Sequence, residues 1–102
     1  MNPFIQKYIS SIKELCKLHD VEKLYLFGSA LSENFSKDSD VDFLISLKKN
    51  LSPSEYTENY FSLHYKLREL MNKEIDLLVE KNLTNPFLMS SIDSTKELIY
   101  EA

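Results

Sequence analysis

Glycine and cysteine are scarce in this sequence, with one residue of each, and tryptophan is missing altogether. The single cysteine, Cys16, cannot form a disulfide within the chain, and no cluster of cysteine and histidine offers a zinc site. We therefore expect a reducing compartment, the cytoplasm. The N-terminus lacks a charged region followed by a long apolar run, so we expect no signal peptide. No stretch approaches the roughly 20 apolar residues of a membrane span.

Clustered positive charge is also lacking. The formal net charge is −4, from 12 basic and 16 acidic residues mixed along the chain. A domain that grips nucleic acid through its phosphates usually carries a clustered basic surface, and Lys48-Lys49 with scattered lysines elsewhere does not make one. This argues against a nucleic-acid partner. With 102 residues, 43% of them hydrophobic, the chain is long enough for one compact domain, 1–102, with its own core.

The spacing of apolar residues predicts alternating helices and strands, without a repeat or a linker. Each helix start combines a capping residue with a proline, and the strands are marked by two-residue alternation or by a short apolar run. The predicted order is a helix from Asn2, a strand over 24–27, a connection over 30–37 with room for one helical turn, a strand over 41–47, a helix from Ser52, a strand over 73–79 and a helix from Asn85.

Connection lengths predict how the strands pair. About a dozen residues join the first two strands, barely enough for a parallel crossover, so we expect an antiparallel pair. A full helix joins the second and third strands, which suits a right-handed parallel crossover. The predicted fold class is α+β, a small mixed sheet of about three strands with flanking helices. The last helix is expected to bury Leu88, Met89, Ile92 and Ile99.

Gly28 and Ser29 stand where the first strand stops. A glycine at this point permits a tight turn and lets backbone amides approach a ligand closely. Amides facing outward at the mouth of a short helix, beside a serine hydroxyl, form a phosphate cradle. Taken alone, a Gly-Ser pair is more often an ordinary turn, so both interpretations stay open.

Three aspartates are candidates for a metal site. Asp40 and Asp42 are two residues apart at the opening of the second strand, so both leave the same face. Their carboxylates repel unless a cation lies between them, and such hard ligands suit magnesium or manganese. Asp76 interrupts an apolar strand, where burial of a lone carboxylate is costly unless it is paired or metal-bound. The alternatives are a solvated strand end for the first two, and for Asp76 either exposure to water or pairing with Lys73 or Lys81.

A phosphate cradle and a carboxylate metal site are the two halves of a nucleotidyl-transfer site. The third carboxylate, Asp76, can join the metal ligands and help to deprotonate an attacking hydroxyl. A calcium loop is excluded, because Phe43 and Lys49 stand where it requires glycine and glutamate.

Phe27-Gly28-Ser29, then ten residues, then Asp40-Val41-Asp42 resembles the signature of the DNA polymerase β-type nucleotidyltransferase superfamily. The chain is most similar to the small members known as minimal nucleotidyltransferases. The likeness extends over nearly the whole chain, through Asn85-Pro86-Phe87 at the start of the last helix.

The resemblance implies a nucleotidyltransferase palm that binds ATP with two magnesium ions, manganese being the alternative metal. It implies that Asp40 and Asp42 are ligands of both ions, that Asp76 is a ligand of the catalytic ion, and that Gly28 and Ser29 contact the nucleotide. Proteins of this type are commonly encoded beside a HEPN-domain toxin. They resemble adenylyltransferases that act as antitoxins by transferring AMP to a tyrosine of that partner.

One departure from the family pattern concerns phosphate binding. Many members place arginine soon after Gly-Ser, whereas this chain has Ala30 to Asn34 without one, and Lys37 is the candidate replacement. Two other functions stay open: a contact-only antitoxin of the same fold, and nucleotidyl transfer to a small hydroxyl compound. The acceptor, the preferred nucleotide and the formation of a homo-oligomer are undecided by the sequence.

The remaining polar and aromatic candidates have a structural interpretation. We interpret His19 and His64 as surface or packed histidines rather than catalytic ones. Cys16 lies on an apolar stripe and is expected to be a buried thiol. Phe61 and Tyr65 are interpreted either as core residues or as part of a face that binds a partner.

Overall fold

The computed structural model describes residues 2–33 and 35–102. Asn34, which belongs to the predicted connection over 30–37, lies outside the described residues, as does Met1. The elements in chain order are α1 (Pro3–Gln6), α2 (Ile9–Leu18), β1 (Val21–Phe27), β2 (Val41–Leu47), α3 (Pro53–Met71), β3 (Ile75–Val79), α4 (Pro86–Thr95) and β4 (Glu97–Glu101). Short 3₁₀ turns over Gly28–Leu31 and Glu80–Asn82 follow β1 and β3.

The strands form one four-stranded mixed sheet in the order β3-β2-β1-β4. β1 and β2 are antiparallel and β2 and β3 are parallel, as their connections predicted. The mixed sheet with flanking helices confirms the predicted fold class. In the part of the chain that the structure describes, no helix is both long and apolar enough to cross a membrane.

The fourth strand corrects the predicted C-terminal helix. α4 ends at Thr95, and Ile99 lies in β4, which pairs antiparallel with β1. Of the residues expected to be buried by the last helix, only Ile92 is buried within it, while Leu88 and Met89 are exposed. The prediction extended the helical spacing too far, because a run of branched and aromatic side chains after Lys96 favours a strand. Pairing with β1 also covers an edge that would otherwise be open.

The predicted first helix is divided in two. Asn2 caps α1 as expected, because its side chain accepts a 2.8 Å hydrogen bond from the Ile5 amide. Its Nδ2 also donates to the carbonyl of Ala30 at 2.7 Å, which ties the N-terminus to the turn after β1. α1 ends at Gln6 and α2 begins at Ile9, with the buried stripe continuing through Ile12 and Cys16.

The capping box that opens α3 is confirmed. Ser52 Oγ accepts from the Glu55 amide at 3.1 Å, and Glu55 Oε1 accepts from the Ser52 amide at 3.0 Å. The helix ends at Asn72, whose φ of 50° is left-handed. This ending turns the chain sharply into β3.

The two faces of the sheet are covered unequally. One face carries the main core beneath α1, α2 and α3, with Phe43 as its largest fully buried side chain. The other face carries a small cluster of three buried residues, Phe27, Leu44 and Ile92, beneath α4. Strand side chains alternate between faces, so Asp42 shares the thinly covered face with Leu44. Polar side chains on this face of β2, such as Asp42, therefore lie close to solvent beside α4.

Candidate active site

The predicted aspartates meet at one corner of the sheet. Asp42 is paired in register with Phe27 of β1 on one side and with Asp76 of β3 on the other. Adjacent strands lie about 4.8 Å apart, so the carboxylates of Asp42 and Asp76 are immediate neighbours on one face. Asp40 lies two residues before Asp42, just ahead of β2. The topology thus gathers the three residues, and their catalytic roles remain predictions.

The environment of Asp76 differs from the one its apolar neighbours suggest. Its side chain is exposed, so the cost of burying a lone carboxylate does not apply to it. Neither lysine considered as its partner reaches it: Lys73 Nζ donates to backbone carbonyls, and Lys81 Nζ lies 4.3 Å from the ring centroid of Tyr56. The interpretation of Asp76 as an ion-paired residue is therefore wrong. It is a solvent-facing carboxylate beside Asp42.

Gly28 is required by the position of Asp42. It has a φ of +76°, a conformation that other residues rarely adopt. A Cβ atom at this position would overlap Asp42 Oδ2 and stand 3.1 Å from Asp42 Cγ. Glycine therefore serves here to admit the Asp42 carboxylate against the backbone.

Ser29 is hydrogen-bonded to both aspartates of the signature. Its backbone N–H donates to the Asp42 carboxylate. Its hydroxyl donates to the backbone carbonyl of Asp40 at 3.1 Å. The turn after β1 and the start of β2 are held together by these contacts. The predicted contact of Ser29 with the nucleotide remains a prediction.

No ion pair among the described residues balances the negative charge at this corner. Partial burial raises the pKa of Asp42, the neighbouring Asp76 charge raises it further, and Asp40 adds a smaller effect in the same direction. The hydrogen bond from Ser29 acts in the opposite direction. Across residues 2–33 and 35–102, the ion pairs are Lys23–Glu101, Arg68–Glu74 and Lys96–Asp93, none of which includes these aspartates.

The donor set fits a divalent cation by charge and by chemistry. Asp40, Asp42 and Asp76 offer hard carboxylate oxygens that repel one another, which is the set that Mg²⁺ and Mn²⁺ prefer. Among the described residues, no three His, Cys, Asp or Glu side chains are already grouped closely enough to hold a metal ion. The carboxylates of Asp40 and Asp76 are exposed, so they are free to rotate toward Asp42 when a cation binds.

The region after Gly-Ser supplies no cation. Ala30 is buried, and its carbonyl is occupied by Asn2. Lys37 and Arg68 line an open cleft of about 510 Å³ that borders Asp40 but not Asp42 or Asp76, and Arg68 is paired there with Glu74. Arg68 was not among the predicted residues, because nothing in its spacing along α3 connects it with the loop before β2.

The two histidines and the cysteine that were interpreted as structural are packed, whereas Phe61 and Tyr65 are exposed, so their interpretation as core residues is wrong. His19 is buried, with its ring nitrogens 2.7 Å from the Leu15 carbonyl and 2.9 Å from Ser62 Oγ. His64 Nε2 donates to the carbonyl of Ile75 at 2.7 Å. Burial raises the pKa of the Cys16 thiol to about 12. Their burial agrees with the interpretation of the histidines as packed and of Cys16 as a buried thiol.

Comparison with known proteins agrees with this geometry. Residues 10–102 match the family described as Polymerase beta, Nucleotidyltransferase. A Methanocaldococcus jannaschii protein named "Putative protein adenylyltransferase MJ1379" is 30% identical in an alignment that covers 92% of this chain and 98% of that protein.

Solved structures share the fold. The structure of a "putative minimal nucleotidyltransferase" matches with a TM-score of 0.74 at 20% identity, over 91% of this chain and 90% of that one. A toxin–antitoxin with AMP-PNP matches with a TM-score of 0.70 at 18% identity, over 92% and 73% of the two chains. The structure of a tri-AMPylated Shewanella oneidensis HEPN toxin in complex with MNT antitoxin matches with a TM-score of 0.65 at 17% identity, over 95% and 72%.

The family match includes β1, β2 and β3 and therefore every candidate site residue described above. The relative from M. jannaschii aligns over almost its full length, so the likeness is not confined to a short motif. The chain belongs to the polymerase beta nucleotidyltransferase family.

Proposed function

We propose that this chain transfers AMP from ATP to a tyrosine hydroxyl of a partner protein, a HEPN-type toxin, in the cytoplasm, and thereby acts as its antitoxin. Residues 1–102 act as a single nucleotidyltransferase domain in this proposal. The observation that carries it is the placement of Asp42 between Gly28 and Asp76 at an open corner of the sheet. The adenylyltransferase name of a relative and the AMPylated toxin in a structural neighbour support AMP as the transferred group.

The proposed reaction is an in-line displacement at the α-phosphorus of ATP. The tyrosine oxygen forms a bond to that phosphorus, the bond to the bridging oxygen breaks, and pyrophosphate leaves. Asp40 and Asp42 would hold two Mg²⁺ ions, and Asp76 would hold the catalytic one with them. When bound, magnesium supplies charge neutralisation at the triphosphate and Lewis-acid activation of the hydroxyl. The exposed carboxylate of Asp76 can accept the proton that the hydroxyl releases.

Nucleotide binding is assigned to the turn after β1. The amide of Ser29 donates to the Asp42 carboxylate, which brings the turn next to the proposed metal ligands. The AMP-PNP bound to a structural neighbour supports a nucleoside triphosphate as the substrate. We propose that Lys37 and Arg68, which line the cleft beside Asp40, provide the positive charge that the segment after Gly-Ser lacks.

A protein acceptor fits the exposed aromatic surface of the chain. Phe61 and Tyr65 of α3 are 64% and 59% exposed, and Phe87 at the start of α4 is 86% exposed. Aromatic side chains are enriched in protein interfaces, and these three lie on helices that cover opposite faces of the sheet. A chain of 102 residues has little surface with which to enclose a bulky acceptor by itself. The partner would therefore complete the site.

The test is incubation with ATP labelled at its α-phosphate, magnesium and a HEPN-type partner. Label is expected on the partner with the wild-type chain and is expected to be lost with Asp42→Ala. Asp93→Ala is the matched control, because Asp93 lies on α4 and pairs with Lys96. Its labelling should equal that of the wild type.

The alternative functions give different results in the same assay. A contact-only antitoxin would neutralise its partner equally well as wild type and as Asp42→Ala, without label on either protein. Transfer to a small hydroxyl compound would leave the partner unlabelled and would place label on that compound. Either result would overturn the proposed acceptor.

A further inference from the structure

Lys73 has a hydrogen-bond environment that is unusual for a lysine. Its ammonium donates to three backbone carbonyls of one loop, those of Ser36 at 3.0 Å, Lys37 at 2.7 Å and Ser39 at 2.9 Å. An ammonium has three N–H donors, so these bonds use its whole donor capacity. The loop 36–39 surrounds the ammonium as it would surround a bound cation.

Two aromatic rings complete the environment of this ammonium. Lys73 Nζ lies 4.8 Å from the ring centroid of Phe35 and 5.3 Å from that of Phe4. A cation over ring faces is stabilised electrostatically, and the contact strengthens as water is excluded. Lys73 is half-buried, although lysine is normally solvated. The side chain is thus held in one position from several directions.

The loop has its own internal turn. The Ser36 amide donates to Ser39 Oγ at 3.0 Å, and the Ser39 amide donates to the Ser36 carbonyl at 3.1 Å. These bonds turn the chain back and direct three carbonyls to one side. These bonds stay within the loop, and the side chain of Lys73 attaches the loop to the segment before β3.

The position of Lys73 in the chain connects this loop to the candidate site. The loop leads directly into Asp40, while Lys73 stands between the end of α3 and the start of β3, which carries Asp76. The backbone adds one bond nearby, from the Val41 amide to the Glu74 carbonyl at 3.1 Å. The side chain of Lys73 therefore links the segment before Asp40 with the segment before Asp76.

We propose that Lys73 is a positioning residue of the active site, which fastens the loop 36–39 to the start of β3 and so sets the separation of Asp40 from Asp42 and Asp76. This proposal rests on the proposed function, in which the three aspartates hold the metal. With Lys73 in place the loop is ordered before the metal binds. Without it, metal binding must also order the loop, and the affinity for the metal falls.

The experiment compares Lys73→Met and Lys73→Arg with the wild-type chain. Mn²⁺ binding to the chain alone is measured by electron paramagnetic resonance, and AMP transfer is measured over a range of Mn²⁺ concentrations. Methionine keeps an apolar stem against the rings but has no donor. Arginine keeps the charge, but its planar guanidinium cannot direct three donors from one nitrogen to the three carbonyls of the loop. Lys81→Met is the matched control, since Lys81 also lies over an aromatic ring, that of Tyr56.

Lys73→Met is expected to raise the Mn²⁺ concentration for half-maximal binding and for half-maximal transfer by about tenfold, the equivalent of one charge-assisted hydrogen bond. At saturating Mn²⁺ its kcat should recover most of the wild-type value. Lys73→Arg should give a smaller increase of a few-fold and provides the result if the methionine variant does not fold. Lys81→Met should leave both concentrations unchanged.

Failure of this proposal and failure of the proposed function give different results. If the wild type binds Mn²⁺ and the Lys73 variants bind it equally well, the positioning role is overturned, even if Tm falls. If the wild type itself binds no Mn²⁺, the metal-dependent function is overturned, and the positioning role with it. A loss of kcat that saturating Mn²⁺ does not restore would also contradict the positioning role.

Discussion

Gly28→Ala tests the contact on which the geometry of the site depends. The added Cβ would overlap Asp42 Oδ2, and the backbone at this position has a φ of +76°. Alanine can be accommodated only if the turn changes its conformation or if the Asp42 side chain moves away. In both cases the Asp42 carboxylate loses its place against the Ser29 amide. We expect the substitution to impair catalysis far more than it impairs folding.

The expected loss of stability has two parts. A left-handed conformation costs a non-glycine residue about 1–2 kcal/mol. Displacement of the Asp42 carboxylate removes a charge-assisted hydrogen bond, which contributes about 1.5 kcal/mol at the lower end of its range because the group is half-exposed. Together these give a loss of about 2–4 kcal/mol in the free energy of unfolding, and a decrease in Tm of roughly 10 °C or more.

The expected loss of activity is larger. A misplacement of about 1 Å in a catalytic group can reduce the rate by about a hundredfold. AMP transfer by Gly28→Ala should therefore fall at least about a hundredfold, measured with ATP labelled at its α-phosphate at a temperature where the variant is folded. Tm is measured on the same samples by differential scanning fluorimetry.

Asp20→Ala is the control for a loss of stability at a position away from the site. Asp20 also has a left-handed φ, of 56°, and its carboxylate accepts a hydrogen bond from Asn59 at 3.2 Å before β1 begins. Its variant should lose free energy of unfolding, because the hydrogen bond from Asn59 is removed, and should keep its activity. In an Asp42→Ala background, Gly28→Ala should cost only the backbone strain, because the overlap has been removed. Activity of Gly28→Ala within twofold of the wild type would refute the reasoning.

Three further outcomes concern the carboxylates and the buried thiol. Asp76→Asn should reduce AMP transfer at least about a hundredfold. Without metal this variant should be at least as stable as the wild type in urea unfolding, because the repulsion between Asp76 and Asp42 is relieved. A lower metal-free stability would contradict this account. The pKa of Asp42 in the folded chain is raised above its ordinary value of 3.8. The metal-free wild type should therefore lose stability as the pH rises through this raised pKa. Asp42→Asn should lack this loss when unfolding is followed against pH. Cys16, buried with a pKa of about 12, should react with a thiol reagent only in denaturant, and rapid labelling of the native chain would show that α2 opens readily.

Local signals in the sequence were sufficient for most of the elements. The caps at Asn2, Ser52 and Asn85 begin helices where they were predicted, because a side chain that bonds the first free amides acts within a few residues. The antiparallel and parallel strand pairs also follow from connection length, a property that is visible in one dimension. β4 was missed because five residues with Ile99 as their one buried side chain carry little periodicity.

The lysine environment could not be read from the sequence. Lys73 lies 34 residues from Ser39 in the chain. The three groups that accept its hydrogen bonds are backbone carbonyls, which every residue possesses. The only sequence-based interpretation for it was an ion pair with Asp76, and the structure places its ammonium elsewhere. Contacts to main-chain atoms leave no mark on the identity of the residues that supply them.

The sequence by itself determined which side chains are available and on which strand face they lie. Gly28 ends one strand, and the spacing of Asp40 and Asp42 directs both to the same side, because a strand alternates with a period of two. Only the tertiary structure decided that Asp76 is in register with Asp42, since the register of two parallel strands depends on how the crossover helix α3 that joins them packs on the sheet. It also decided that α4 covers this face thinly enough to leave the carboxylates open to solvent, which depends on packing between distant segments rather than on any local pattern.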